Sequence, residues 1–264
     1  MADNSLNLTL GKGKLYFGEF ASGTQTPKGE RFIGNCLTIA INAEVEELDH
    51  ISSTDGRKKK DFSAVTGVDR KGNIVTDNMG LDNVGVYALG LVETVTVTSA
   101  TGSTSVFTGV SPGLGYQLGV TTAKPEGVRK VASVVVTNGL AGLSAVTYAV
   151  NTDYTVDADR GRITVVAGGA IAEASNLSVT YNVTAHTVRR VVAGGTQKEG
   201  SLRFISANPD GPVTDYFFPW VKLGPNGDLN LISESEWATI PLSIEVFEKD
   251  GIAPWVATGQ PVTS

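Results

Sequence analysis

Apolar and polar residues alternate with a period of two along several stretches of this chain. Successive side chains of a β-strand point to opposite faces of the sheet, so this alternation predicts strands with one buried and one solvent-facing side. In "LTIAINAEV" the predicted buried side comprises Leu37, Ile39, Ile41, Ala43 and Val45, and the opposite side comprises Thr38, Ala40, Asn42 and Glu44. The stretches "LSVTYNVTA" and "ATIPLSIEVF" alternate in the same way. We therefore expect a mainly all-β fold.

Two pairs of these strands are predicted to form long hairpins. The first spans about 34–77 and carries the basic stretch "SSTDGRKKKD" at its tip. The second spans about 198–224 and turns at "NPDG", a run of strong turn formers. One short helix is expected in "GLDNVGVYALGL", where Leu81, Val84, Ala88 and Leu91 recur near one helical face.

The middle of the chain is rich in Val, Thr and Ala, and we expect it to form a separate β-rich insertion. Within it, "YTVDADRGRITVV" predicts a hairpin that closes on Asp157 to Gly161. The predicted organisation is a main domain over 1–125 and 193–250, a peripheral insertion over 126–192 and an extended C-terminal arm over 251–264.

Composition restricts the possible partners. The formal net charge of −6 and a sequence pI near 5.0 argue against nucleic-acid binding by the whole surface, which requires a broad basic face. The single cysteine, Cys36, permits neither an internal disulfide nor a thiolate metal cluster. The sequence shows no secretory leader pattern and no apolar run approaching about 18 residues, so we expect a soluble protein made in a cytoplasm.

Sequence patterns that could carry chemistry are incomplete. "GVSPG" matches the nucleophile elbow of serine hydrolases, but the residue after the serine is Pro112, which has no N–H to hold an oxyanion. Three aspartates between 153 and 159 lack the spacing and closing glutamate of a calcium loop. His50 and His186 are far apart in sequence. We therefore predict no enzyme, no catalytic residue, no cofactor and no metal site.

The order of the β-rich segments resembles a known family. The resemblance rests on "GKGKLYFGEF", on the stretch from "GERFIGNCLTIAINAEVEELDHI" to "DNVGVYALG", and on "KEGSLRFISANPDGPVTDYFFPWVKL". These segments resemble the tail tube protein of long-tailed bacteriophages. The resemblance implies that two long hairpins per subunit form part of a ring-closed β-barrel, with homohexameric rings stacked into a hollow tube. It also implies a structural protein of the virion tail that is assembled in the host bacterial cytoplasm.

The family resemblance also implies partners and sites. The partners are other copies of the chain, the tape measure protein inside the tube, and tail terminator and distal tail proteins, while DNA passes through the lumen without specific binding. The expected lumen-facing residues are Thr38, Asn42, Glu44 and Glu46. The expected inter-ring contact loop comprises Ser53, Thr54, Asp55, Arg57, Lys58, Lys59, Lys60 and Asp61. Its acidic partners on the next ring would be Glu44, Glu46, Glu47 and Asp49.

Other interpretations of these features stay open. The basic loop could instead keep the hairpin tip soluble; DNA binding is less attractive because its few cations are flanked by Asp55 and Asp61. The whole chain could instead be a β-sandwich surface-binding module, such as an adhesin or a decoration protein. Rings or tubes of purified protein would favour the first function, and monomers the second.

Overall fold

The structure divides into two compact units. The computed structural model describes residues 8–54 and 56–259, except for the side chain of Leu143. Unit 1 comprises residues 1–93 and 190–264, and unit 2 comprises Thr94–Arg189. Unit 2 therefore begins well before residue 126, where the insertion was expected to start. The cause is that the strand Ala100–Val110 pairs with Ser175–Val183 of the expected insertion.

The described residues form mainly strands, which confirms the predicted all-β class with one short helix. The first segment contains β1 (Gly13–Glu19), β2 (Arg31–Gly34), β3 (Cys36–Ser52), β4 (Lys59–Thr76) and helix α1 (Leu81–Tyr87). The middle contains β5 (Leu91–Val97), β6 (Ala100–Val110), β7 (Gly115–Gln117), β8 (Val131–Thr137), a 3₁₀ turn (Gly142–Ser144), β9 (Tyr154–Asp157), β10 (Arg162–Val165), β11 (Ser175–Val183) and β12 (His186–Val192). The last segment contains β13 (Lys198–Ser206), β14 (Thr214–Pro225), β15 (Ile240–Val246) and β16 (Val256–Gly259).

Unit 1 is built on one curled antiparallel sheet in the order β2-β1-β13-β14-β15-β4-β3, with β16 added to β14. Its two end strands, β2 and β3, are separated in sequence only by Asn35. The sheet must therefore curl until these ends approach each other. The Asn35 carbonyl oxygen fixes this junction by accepting hydrogen bonds from Thr76 Oγ1 (2.8 Å) and Asp77 N (3.2 Å). Both predicted hairpins, β3–β4 and β13–β14, are present.

The core of unit 1 lies on the concave side of this sheet, and α1 packs against β14 and β15. The helix is where it was predicted. Its buried residues are Asn83, Gly85 and Val86, Val84 packs against the core from a half-buried position, and Leu91 is exposed in β5. Asn83 can be buried because its Nδ2 donates to the carbonyl oxygens of Ile33 (2.7 Å) and Asn78 (3.0 Å). Because Asn83 is polar, the periodicity of apolar residues in the sequence does not identify it as buried.

The C-terminal region is also more ordered than an extended arm. Val256–Gly259 pair antiparallel with Thr214–Phe217 of β14, which makes β16 part of the sheet. Just before this strand, the Trp255 ring stacks on Tyr216, with ring centroids 5.9 Å apart. Residues 260–264 of the expected arm lie outside the described residues.

The core of unit 2 lies between two three-stranded antiparallel sheets, β6-β11-β8 and β7-β10-β9. The predicted alternation of β11 is confirmed, since Leu177, Val179, Tyr181 and Val183 are all buried. The predicted hairpin is β9–β10. Its turn ends at Gly161, which has a φ of +66° and where a Cβ would lie 2.0 Å from the Val128 carbonyl oxygen. Only glycine fits this position.

Asp153 connects two loops of unit 2. Its Oδ2 accepts a hydrogen bond from Ala149 N and its Oδ1 accepts one from Ala170 N, each at 2.8 Å. These two N–H donors lower the pKa of the Asp153 carboxyl group, because they stabilise its charged form. This aspartate, which the sequence places in an incomplete calcium pattern, therefore has a structural role in the protein's own backbone.

We expect Asp153→Ala to lower the midpoint of thermal unfolding at pH 7, because two backbone N–H groups lose their acceptor. Since the folded-state pKa lies below the unfolded value of about 3.9, the contribution of Asp153 is complete above that value and disappears as the pH falls. The difference between wild type and variant, measured by calorimetry, should shrink on acidification. Asp159→Ala, at an exposed residue of the same region, is the control. An unchanged midpoint for Asp153→Ala would contradict this role.

Candidate assembly surface

The β3–β4 hairpin extends well beyond the sheet that carries it. The two strands pair from Cys36 and Thr76 out to Ser52 and Lys59. On the other side of β4, β15 pairs only with Arg70 to Thr76. The outer part of the hairpin, residues 44–69, is named the hairpin arm here. Along the arm neither strand has a second neighbour among the described residues, and along its whole length β3 is an end strand of the sheet.

The strand register separates the two faces of β3 as the sequence predicts. Ile39, Ile41 and Ala43 share the concave face of the sheet with Ile74 and Arg70 of β4. The predicted burial of that face is, however, largely wrong. Ile39 packs against the core, but Leu37, Ile41, Ala43 and Val45 are exposed. The core ends near Arg70 because β15 ends opposite it at Val246. Beyond that point, the apolar side chains Ile41 and Val45 are not covered by any part of the chain that the structure describes.

The opposite, convex face is polar. It carries Thr38, Asn42, Glu44 and Glu46, all exposed, which were predicted to share one face and to line a lumen. Asn42 Nδ2 donates to Glu44 Oε1 at 3.4 Å. On the neighbouring strand β4, Lys71 forms an ion pair with Asp69, two residues away on the same strand, and this contact raises the pKa of Lys71. The face is acidic on balance and exposed. Its position along a channel stays a prediction.

The hairpin tip holds the predicted contact loop. Ser53 to Lys58 connect the strands, with Ser52 Oγ and Thr54 Oγ1 3.0 Å apart, while Lys59, Lys60 and Asp61 belong to β4. Asp55 lies outside the described residues. His50 Nδ1 lies 2.6 Å from Asp61 Oδ1, so this acidic residue is engaged within the hairpin.

Lys60 is also bound within its own hairpin. Its Nζ lies 2.6 Å from Asp49 Oδ1 and 3.6 Å from Glu47 Oε2. Ser63 Oγ is within hydrogen-bonding distance of both carboxylates. The close pairing raises the pKa of Lys60 and lowers that of Asp49. Glu47 and Asp49 were expected to receive the basic loop of another copy, yet in this structure their cationic partner is intramolecular.

Two cations of the tip point outward without an acidic partner among the described residues. Arg57 and Lys58 are both exposed and lie in the connection between β3 and β4. They are therefore the cations best placed for contact with another molecule.

An apolar patch at the tip was not anticipated. On the convex side of the arm, Leu48 lies opposite Ala64 and His50 opposite Phe62. Leu48 is 67% exposed and Phe62 is 66% exposed. The convex face thus changes from polar near the sheet to apolar near the tip. In the sequence, Leu48 is out of phase with the Ile39–Val45 alternation, which is the signal that could have revealed this change.

The residues considered for catalysis or metal binding have other partners. Ser111 Oγ donates to Glu173 Oε1 at 2.6 Å, and Asp157 pairs with Arg160 at 2.8 Å. His186 Nδ1 lies 2.8 Å from the Thr184 carbonyl oxygen. Within residues 8–54 and 56–259, no cluster of His, Cys, Asp or Glu has the arrangement of a metal site. In the same ranges, no helix has the length and apolar character needed to span a membrane.

Comparison with known proteins places the chain in a family. The model of that family matches residues 8–253, which include all of unit 2, most of unit 1 and the whole hairpin arm. The chain belongs to the family described as protein of unknown function UCP028589. No curated protein matches this UCP028589 chain. The family description assigns no activity to the arm.

We expect the double substitution Leu48→Ser and Phe62→Ser to leave unit 1 folded and to weaken self-association. Both side chains are exposed in the single chain, so their loss removes little internal packing, while a partner that covers them would lose apolar contact. Sedimentation velocity over a concentration series measures the association, and thermal unfolding measures the fold. Val106→Ser with Leu140→Ser, two exposed apolar residues of unit 2, is the matched control. Equal association of both variants and wild type would contradict the role of the patch.

Proposed function

We propose that this protein is a structural subunit of a phage tail, which forms homohexameric rings that stack into the hollow tail tube. The tube would enclose the tape measure protein, join terminator and distal tail proteins at its ends, and later conduct DNA to the host. The observation that carries this proposal is the hairpin arm, in which the outer edge of β3 has no neighbour among the described residues. The resemblance of the hairpin segments to tail tube proteins supplies the type of assembly.

The open edge of β3 favours assembly with other copies. An exposed edge strand of 17 residues presents a row of backbone N–H and C=O groups that another strand can pair with. Closure of strands from several subunits into a ring removes such edges altogether. The exposed apolar side chains Ile41 and Val45 on the concave face would be covered by the same neighbour.

The convex face has the character of a channel wall. Glu44, Glu46 and Asp69 give this part of the face negative charge, and Lys71 is already paired with Asp69. A wall of this kind repels phosphates and lets DNA slide, whereas unpaired cations would hold it. This supports passage of DNA without specific binding.

The tip provides a contact between rings. Arg57 and Lys58 would pair with acidic groups of the next ring, for which the exposed Glu44 and Glu46 are better candidates than Glu47 and Asp49. An exposed ion pair contributes only about 0.2–1 kcal/mol. Because a ring repeats each contact in every subunit, the sum can nevertheless decide whether the tube grows.

A surface-binding module is the second candidate, and unit 2 is the observation that favours it. Its two three-stranded sheets over one core form a small β-sandwich, the architecture of many adhesion and decoration domains. In that case the protein would act as a monomer or small oligomer that binds a surface through unit 2.

The experiment that separates these functions is electron microscopy of concentrated protein, with Arg57→Glu and Lys58→Glu as the test variant. We expect rings and tubes from wild type, and rings without tubes from the variant, because reversed charges repel the acidic groups of the next ring. Tube growth by wild type should also weaken in 1 M salt, where the Debye length is about 3 Å. Lys124→Glu with Arg129→Glu, an equal charge change in unit 2, is the control and should form normal tubes. Wild-type protein that stays monomeric at every concentration would contradict the tail-tube proposal. Normal tubes from the test variant would contradict the role of the tip alone.

A further inference from the structure

The loop between β14 and β15, residues 226–239, displays large apolar side chains to solvent. Leu231 is 78% exposed, Ile232 is 90% exposed and Trp237 is 89% exposed. The base of the loop is nevertheless fixed in place. Tyr87 donates a hydrogen bond from its hydroxyl group to the Gly227 carbonyl oxygen at 2.7 Å, and Leu229 packs against the core of unit 1. A loop that is anchored at its base and apolar at its end has the form of a docking element.

The loop is also acidic. It contains Asp228, Glu234 and Glu236, and no lysine or arginine. Its complement should therefore be an apolar cavity with a cation at its edge.

Unit 1 contains such a cavity. It is a half-open cleft of about 410 Å³ on the concave face, where the core of unit 1 is left uncovered beyond the end of β15. Its aromatic wall is formed by Tyr216, Phe218 and Trp255, with Trp255 stacked on both of the other rings. Ile41 and Arg70 form the opposite side. The cleft is large enough for the side chains of Trp237 and Ile232 together.

Arg70 makes the cleft selective for an acidic partner. This residue is half-buried beside the aromatic wall, and no carboxylate among the described residues forms an ion pair with it. A guanidinium group at the edge of an apolar cavity favours a ligand that brings its own negative charge. The loop brings both apolar side chains and carboxylates.

The loop and the cleft lie at opposite ends of β14. Tyr216 lies near the start of this strand, and the loop follows its last residue, Pro225. At roughly 3.3 Å per residue the strand advances about 30 Å between these residues. The two surfaces are thus separate and complementary, so they can meet only between two copies. Contact between different surfaces of identical subunits is head-to-tail, which produces closed rings or open filaments.

We propose that the loop 226–239 of one copy docks into this cleft of a second copy, with Trp237 against Tyr216 and Trp255 and with Glu236 paired to Arg70. The inference rests on the self-assembly in the proposed function and names a specific contact that joins the subunits. It requires no covalent step and no further ligand.

Substitutions in the loop and the cleft test this contact by sedimentation velocity. Trp237→Glu should raise the apparent dissociation constant of self-association at least tenfold, while the unfolding midpoint stays unchanged because the side chain is exposed. Leu140→Ser, at an exposed apolar residue of unit 2, is the control and should change neither quantity. Arg70→Glu and Glu236→Arg should each weaken association, and the double variant should restore it in part.

Disulfide trapping between two differently labelled copies tests the geometry directly. With Cys36→Ser in both, one copy carries Trp237→Cys and the other carries Ile41→Cys. We expect rapid formation of the mixed disulfide under mild oxidation, since this bond requires Cα atoms within about 7 Å. Leu140→Cys in place of Trp237→Cys should give none.

The outcomes separate this inference from the proposed function. Wild-type protein that forms rings or tubes, together with normal assembly of Trp237→Glu and no mixed disulfide, would overturn the loop contact and leave the tail-tube proposal standing. Wild-type protein that never self-associates would overturn both. Loss of assembly in Trp237→Glu together with the mixed disulfide would support the contact.

Discussion

The backbone hydrogen bonds of the β3–β4 hairpin are the constraint on which the rest of unit 1 depends. β15 satisfies one edge of β4 only as far as Arg70, and along its length β3 has no outer neighbour within residues 8–54 and 56–259. Natural monomeric proteins rarely leave such a long sheet edge exposed, because each unpaired N–H and C=O group is a site for pairing with another chain. The curled sheet, its helix and its β16 strand hold this open edge in a fixed position.

The distribution of apolar side chains follows from the same constraint. The core of unit 1 is closed where β4 has a neighbouring strand on each side, and it opens into a cleft where β15 ends. Beyond that point Ile41 and Val45 remain exposed, as do Leu48 and Phe62 near the tip. Burial of one such side chain in an interface is worth about 1.5–3 kcal/mol. A single subunit gives up this stabilisation, and an assembly that covers the arm would recover it.

Period-two alternation and turn residues were sufficient to predict the class of fold, the two hairpins and the buried face of β11, because these features are local. The register of β3 also places Thr38, Asn42, Glu44 and Glu46 on one face, as predicted, while the lumen position of that face stays a prediction. Features that depend on distant partners could not be predicted. Asn83 is buried through hydrogen bonds to Ile33, and unit 2 begins at Thr94 because β6 pairs with a strand far along the chain.

The ion pairs of the hairpin tip also could not be predicted from the sequence. A run of basic residues is visible in the sequence, but the pairing of Lys60 with Asp49 follows from a strand register that includes bulges between Glu46 and Glu47 and between His50 and Ile51.

Hydrogen–deuterium exchange of the β3 segment in free and concentrated protein tests most directly whether its open edge pairs with another copy. We expect peptides covering Cys36–Ser52 to exchange more slowly in the assembled sample, while β11 of unit 2, already paired on both sides, stays unchanged. Equal exchange of β3 in free and assembled protein would contradict the account.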